Sequence, residues 1–358
     1  MSSENYTLAQ LEDLNKTFKK SLAAYFHLVS HNGKDDLKKI EAASVDSPLD
    51  EFIKISVLIH SNATKLGLVF KYPLPQTNYN AAYKQLKDYF ELYALLMSLV
   101  SQINKENKFS VLFYDTILST LSTLFSINEF VSEEIASILG FSASSSKEEI
   151  EKKNKNRLVV IGKIWNTCDE FKELLQNGEL SLLNSELKSS VTLIGDALLD
   201  FEAWLENPEE VEDDPFGFDD FSDEEGETKE ETNEPVNEAE LAEKVEIGKK
   251  WVEKVKLIKI LLSIIGKSLA NIKKEKGKIT TAQLNDVFNS QSNVVGEIDE
   301  LVSSLAMGGS VKEVKEIADE LVTKVKQSNK CLADINNLLK DTDKANQLIE
   351  SWNKKFDL

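Results

Sequence analysis

Cysteine, proline, glycine and arginine are all scarce in this chain, and each shortage rules something out. Only Cys168 and Cys331 occur, far apart, so no disulfide framework is expected and a reducing compartment fits. Six prolines and 14 glycines are few for 358 residues. They leave long uninterrupted segments of Leu, Lys, Glu, Ser and Asn, a helical composition that disfavours β-architecture. The glycines are scattered, so no phosphate-cradling loop of the Walker, Rossmann or kinase kind is present. The single arginine, Arg157, leaves almost no bidentate forks for phosphate or guanine. A net charge of -19 with no evident basic face argues further against direct nucleic-acid binding. The opening MSSENYTLAQLEDLNK lacks the basic start and apolar run of a secretory signal. The most apolar window, residues 257–265, is broken by Lys259 and falls short of the roughly 20 apolar residues of a membrane span.

What the chain does have is one concentrated block of negative charge. Residues 206–240 hold 17 Asp and Glu against one Lys, a local charge of -16, so the rest of the chain carries only -3. Three of the six prolines fall in the same block, which can bury little beyond its own aromatics. It reads as a flexible acidic linker at 207–237, separating an N-terminal helical bundle (1–206) from a C-terminal one (238–358).

Apolar periodicity defines the helices on either side. The first should run from about Thr7 to His31, and the second from Ser47-Pro48, an N-cap followed by proline at the first helical position, to Tyr72-Pro73-Leu74-Pro75. From about Asn78 the seam Tyr83, Leu86, Phe90, Tyr93, Met97 and Val100 has the spacing of shallow-angle bundle packing. Residues 109–139 form another helix, with a break expected near 126–128. Ser146 and Glu149 read as a capping box for a helix with Arg157, Ile161, Ile164, Cys168, Phe171 and Leu175 on its seam, ended by Asn177-Gly178. A further helix covers 180–206. Short connections imply an antiparallel up-and-down bundle of five or six helices, each about 37 Å long at ~1.5 Å per residue. Beyond the linker, a helix from Glu238 through Ile272, one capped by Thr280 or Thr281, and one opened by a second box at Ser310 and Glu313 make three long helices before a last turn ending at Trp352.

No catalytic constellation emerges, and no cofactor is implied. His27 and His31 have metal-ligand spacing on a helix but no third ligand at a diagnostic distance. Cys168 falls on an apolar seam, where it should pack as a small hydrophobe. Most bundle seams pair within the molecule rather than capture a partner helix. The segment that a spacer role does not account for is DDPFGFDDFSDEE, residues 213–225. Its rings Phe216, Phe218 and Phe221, set among Asp219 and Asp220, read as a peptide that docks aromatics while acids steer it, in cis or onto a partner. Ser222 and Thr228 precede acidic residues and resemble acidophilic kinase sites, where phosphate would extend the charge run.

Two patches, SNATKLGLVFKYPLP at residues 61–75 and DPFGFDDFSDEE at 214–225, give the chain a resemblance to the cyclin-D1-binding protein family, a helix-loop-helix-like group of cell-cycle inhibitors. The similarity runs from the second helix to about Leu269. It implies all-α bundles like those of vinculin and α-catenin and a non-enzymatic role in nucleus and cytoplasm. D-type cyclins and helix-loop-helix factors are the partners the resemblance implies. A vinculin-like cytoskeletal or scaffold adaptor is the alternative.

Overall fold

Nine α-helices and two short 3-10 turns, with no strand among the described residues, form the computed structural model, which describes residues 5–30, 35–141, 146–208, 238–275, 278–307, 309–339 and 342–357. The helices are α1 Leu8–Val29, α2 Pro48–Val69, α3 Tyr79–Glu106, α4 Val111–Leu139, α5 Lys147–Glu206, α6 Glu238–Glu275, α7 Thr281–Ala306, α8 Val311–Asn336 and α9 Thr342–Phe356. The all-α architecture read from composition and periodicity is the one observed.

Helix starts follow side-chain capping. Thr7 and Gln10 form a reciprocal box on α1, as do Thr280 and Gln283 on α7, each satisfying two otherwise orphaned N–H groups. Ser310 accepts from the Glu313 N–H at 3.2 Å, and Ser146 from the Glu149 N–H at 3.2 Å. Ser47 departs from its expected capping role: its hydroxyl donates to Asp50 Oδ2 at 2.6 Å and caps no N–H. The break expected near 126–128 is absent, because Asn128 is a buried core residue. Its amide donates to the Leu124 carbonyl at 2.8 Å, and its Oδ1 accepts from the Tyr89 hydroxyl at 2.7 Å. A residue that competes with helix when exposed is satisfied inside one here.

The chain forms two compact units, Met1–Glu179 and Leu180–Leu358. The division therefore falls at the start of residues 180–206, which the sequence pattern had grouped with the N-terminal bundle. Gly178 marks the place: its φ of 72 and ψ of 179 break α5 into two helices, at the Asn177-Gly178 ending read from the sequence, and each side of α5 packs in its own unit. A residue with a Cβ would adopt that φ only under strain.

In the first unit, α1 packs on α3 and α4, and α2 packs on α3 and the first part of α5. Its centre is aromatic. Phe18 of α1 lies 5.7 Å from Tyr93 and 6.0 Å from Tyr89 on α3, and all three rings are fully buried. Each such ring removed from water contributes about 1.5–3 kcal/mol. The Tyr93 hydroxyl donates to that of Tyr89 at 2.8 Å, which in turn donates to Asn128. Asn15 and Ser132 make a second buried exchange, tying α1 to α4.

In the second unit, residues 180–206 run antiparallel to α6. Trp204 lies against Gly248, Glu202 pairs with Lys256 at 3.0 Å, and Lys273 donates to Ser181. Ser190 donates to Gln291 at 2.8 Å to hold α7, and Ser268 donates to Asn336 at 2.8 Å to join α6 to α8. The Trp352 indole donates to the Leu257 carbonyl at 2.8 Å and seats α9 on α6.

Candidate functional site

The unusual ending of α2, Lys-Leu-Gly-Leu-Val-Phe-Lys-Tyr-Pro, is where the first unit concentrates its polar contacts. The last carbonyls of a helix have no partner within it, and Gly67 contributes one of them. The Arg157 guanidinium from α5 donates to it, so the chain's single arginine acts as a C-cap. That approach needs a bare backbone: a Cβ on Gly67 would stand 3.2 Å from Ile161 Cγ1 and 3.5 Å from the guanidinium.

Tyr72 is clamped from several sides. Its N–H donates to Asn154 Oδ1 at 3.2 Å, and its carbonyl accepts from the Asn154 amide at 3.0 Å. The ring meets Phe141 edge-on at 5.0 Å, with the Lys153 ammonium 5.2 Å from its centre. Ser137 and Glu134 of α4 stand near the hydroxyl, and burial pushes its pKa up to about 12. The Tyr72–Pro73 peptide bond is cis. Burial pulls the Arg157 guanidinium down from its ordinary value, which the nearby Glu134 opposes, and its Nε has no partner. Leu66, Phe70, Val131, Ile135 and Ile161 line a cleft of about 20 Å³ beside it, room for roughly one water.

This arrangement fastens three helices and the turn after α2. Its chemistry is that of a clamp: the tyrosine stays protonated and the arginine is spent on a backbone carbonyl. Sequence reasoning placed Arg157 on an apolar seam but missed Glu134 beside it and Ser137 and Asn154 around Tyr72. A lone arginine among Ile and Leu at helical spacing was the available signal.

A second cleft of about 170 Å³ lies between α2 and α5, lined by Ser56, His60, Cys168 and Lys172 among others. His60 stacks on Trp165 at 5.5 Å. Cys168 is buried, as its seam position predicted, and burial pushes its thiol up to about 12, far from a reactive thiolate. His31 lies outside the described residues, and no three His, Cys, Asp or Glu side chains group as metal ligands among those described. No described helix is long and apolar enough to cross a membrane. The docking residues Phe216, Phe218, Asp219, Asp220 and Phe221 and the phosphorylation candidates Ser222 and Thr228 also lie outside the described residues.

Residues 51–207 match the family model described as "Grap2 and cyclin-D-interacting, N-terminal". The match takes in the 61–75 patch and stops before 214–225 and short of Leu269, so it is narrower than the resemblance expected. An uncharacterized protein of Saccharomyces cerevisiae is 24% identical over 334 residues, covering 92% of each chain. An uncharacterized protein of Schizosaccharomyces pombe is 26% identical over 274 residues, covering 76% of this chain and 75% of its own.

Proposed function

We propose, for a chain whose residues 51–207 match the Grap2 and cyclin-D-interacting family model, a non-enzymatic role as a protein-interaction regulator of cell-cycle progression or transcription. The family match carries this reading. The partner class it favours is a cyclin or a helix-loop-helix factor, met in nucleus and cytoplasm. The contact falls to the acidic-aromatic stretch 213–225, where Phe216, Phe218 and Phe221 supply buried anchors while Asp219 and Asp220 steer approach. Phosphate on Ser222 or Thr228 would add about -1.5 to -2 charges each and shift affinity for a basic partner.

Affinity purification of the intact protein beside a version lacking residues 209–234, and beside Phe216→Ala/Phe218→Ala/Phe221→Ala, tests the proposal. A cyclin or helix-loop-helix protein recovered by the intact chain and lost from both variants is the expected result. Equal recovery by all three removes the stretch as the contact, and recovery of actin or adhesion components instead favours the adaptor role.

A further inference from the structure

The second unit has a groove that the clamp of the first unit does not share. Between residues 184–192 of α5 and residues 262–270 of α6 lies an open channel of about 530 Å³. Leu187, Val191 and Leu262 give it an apolar floor, Lys188 and Lys267 stand on its lining, and no carboxylate does. The α6 side is unusual for this chain. Residues 254–274 contain six lysines and no Asp or Glu, in a protein of net charge -19. Just beyond the channel, Leu193, Leu199 and Ile260 leave half or more of their surface in water.

We infer that this groove seats the chain's own acidic-aromatic stretch, residues 213–225, in cis. The inference rests on reading that stretch as a docking peptide and specifies where it docks. Charge complementarity is the first argument: the most acidic segment of the protein is tethered to the helix with the longest acid-free, lysine-bearing run. Reach is the second. The segment joins Glu206 to Glu238, so it closes the same α5–α6 hairpin that forms the groove. The near end of the channel lies about 21 Å along α5 from Glu206. Eight extended residues from Pro208 bring Phe216 about 26 Å, and thirteen bring Phe221 about 43 Å. Coming back from Glu238, 22 residues span up to about 73 Å, against roughly 36 Å along α6 to residue 262. The rings meet the apolar floor and the carboxylates meet Lys188 and Lys267. In this state the peptide is withheld from partners, and phosphate on Ser222 tightens the hold.

Zero-length carbodiimide coupling of the intact protein at low ionic strength tests this, because it joins only lysines and carboxylates already in contact. Mass spectrometry of the monomeric fraction should show Lys188 and Lys267 linked to carboxylates of residues 213–225. These links should fall several-fold in Phe216→Ala/Phe218→Ala/Phe221→Ala, and likewise in high salt. Links spread evenly over the surface lysines, links confined to a covalent dimer, or links unchanged in the alanine variant would each overturn the inference. The parallel purification separates the two proposals: cis links without any captured cyclin or helix-loop-helix protein leave the groove standing and sink the partner reading, and the reverse result does the opposite.

Discussion

The two units solve the same packing problem with different residues. All eight tyrosines lie in the first unit, and three of the four tryptophans, Trp204, Trp251 and Trp352, in the second. The first unit is centred on large rings whose hydroxyls relay to Asn128, and its clamp at Tyr72 leaves a cleft no bigger than a water. The second joins its helices through short polar pairs such as Ser190–Gln291 and Ser268–Asn336, and keeps an open basic channel. Rings anchored by buried hydroxyls fill space and fix register together, whereas serine pairs fix register while leaving room.

Alkaline pH should break the comparison most completely. Burial raises Tyr89 and Tyr93 well above the ordinary value of 10.0. The folded first unit therefore holds protons that the unfolded chain releases near pH 10. Their stabilisation is fully present below that pH and is lost as pH rises toward the folded values. The second unit has Cys331 as its buried group raised in the same way, and no tyrosine. Tyrosinate absorbance at about 295 nm should thus rise cooperatively while emission dominated by Trp204, Trp251 and Trp352 stays folded-like; simultaneous loss of both signals would erase the distinction. Next in size, Phe18→Ala should cost the first unit about 3–5 kcal/mol, read as an early first phase in chemical denaturation with the second phase unmoved. Arg157→Met should cost about 1–3 kcal/mol by leaving the Gly67 carbonyl unpaired, with Arg157→Lys recovering part of it. A neutral Arg157→Met would show that the clamp is dispensable. Smallest, Thr280→Ala should lower the second phase alone by about 1 kcal/mol through loss of the α7 cap.

Most of this architecture was legible from apolar spacing and caps. The seam from Arg157 to Leu175 is buried throughout, the α3 seam is buried at Leu86, Tyr93, Met97 and Val100 and half-buried at Tyr83 and Phe90, and Thr280 and Ser310 sit at helix starts as read. Two misreadings have one physical origin, local signals overruled by tertiary context. Asn128 looked like a break because an exposed asparagine competes with helix; in the core, Tyr89 and the Leu124 carbonyl satisfy it. Asn177-Gly178 is a helix end as read, but the acidic block looked like the boundary between bundles, whereas the compact units divide after Glu179. Composition marks where a chain cannot bury itself, but it carries no information about which neighbour a stripe such as Leu183, Leu187, Ile194 and Leu198 will choose. The partners of Arg157 were unreadable for the same reason, since Gly67 comes from α2 and Glu134 from α4. The docking role proposed for residues 213–225 rests on composition alone.

The placement of Gly178 bears on how this protein should be dissected. The family match ends at residue 207, so a fragment trimmed to it would take residues 180–206 away from α6 and α7. Leu187, Ile194 and Phe201, each at most 1% exposed in the intact chain, would then face water as a greasy ribbon, and the fragment would clump. The scissors belong after Glu179, where sequence kinship and mechanical integrity part company.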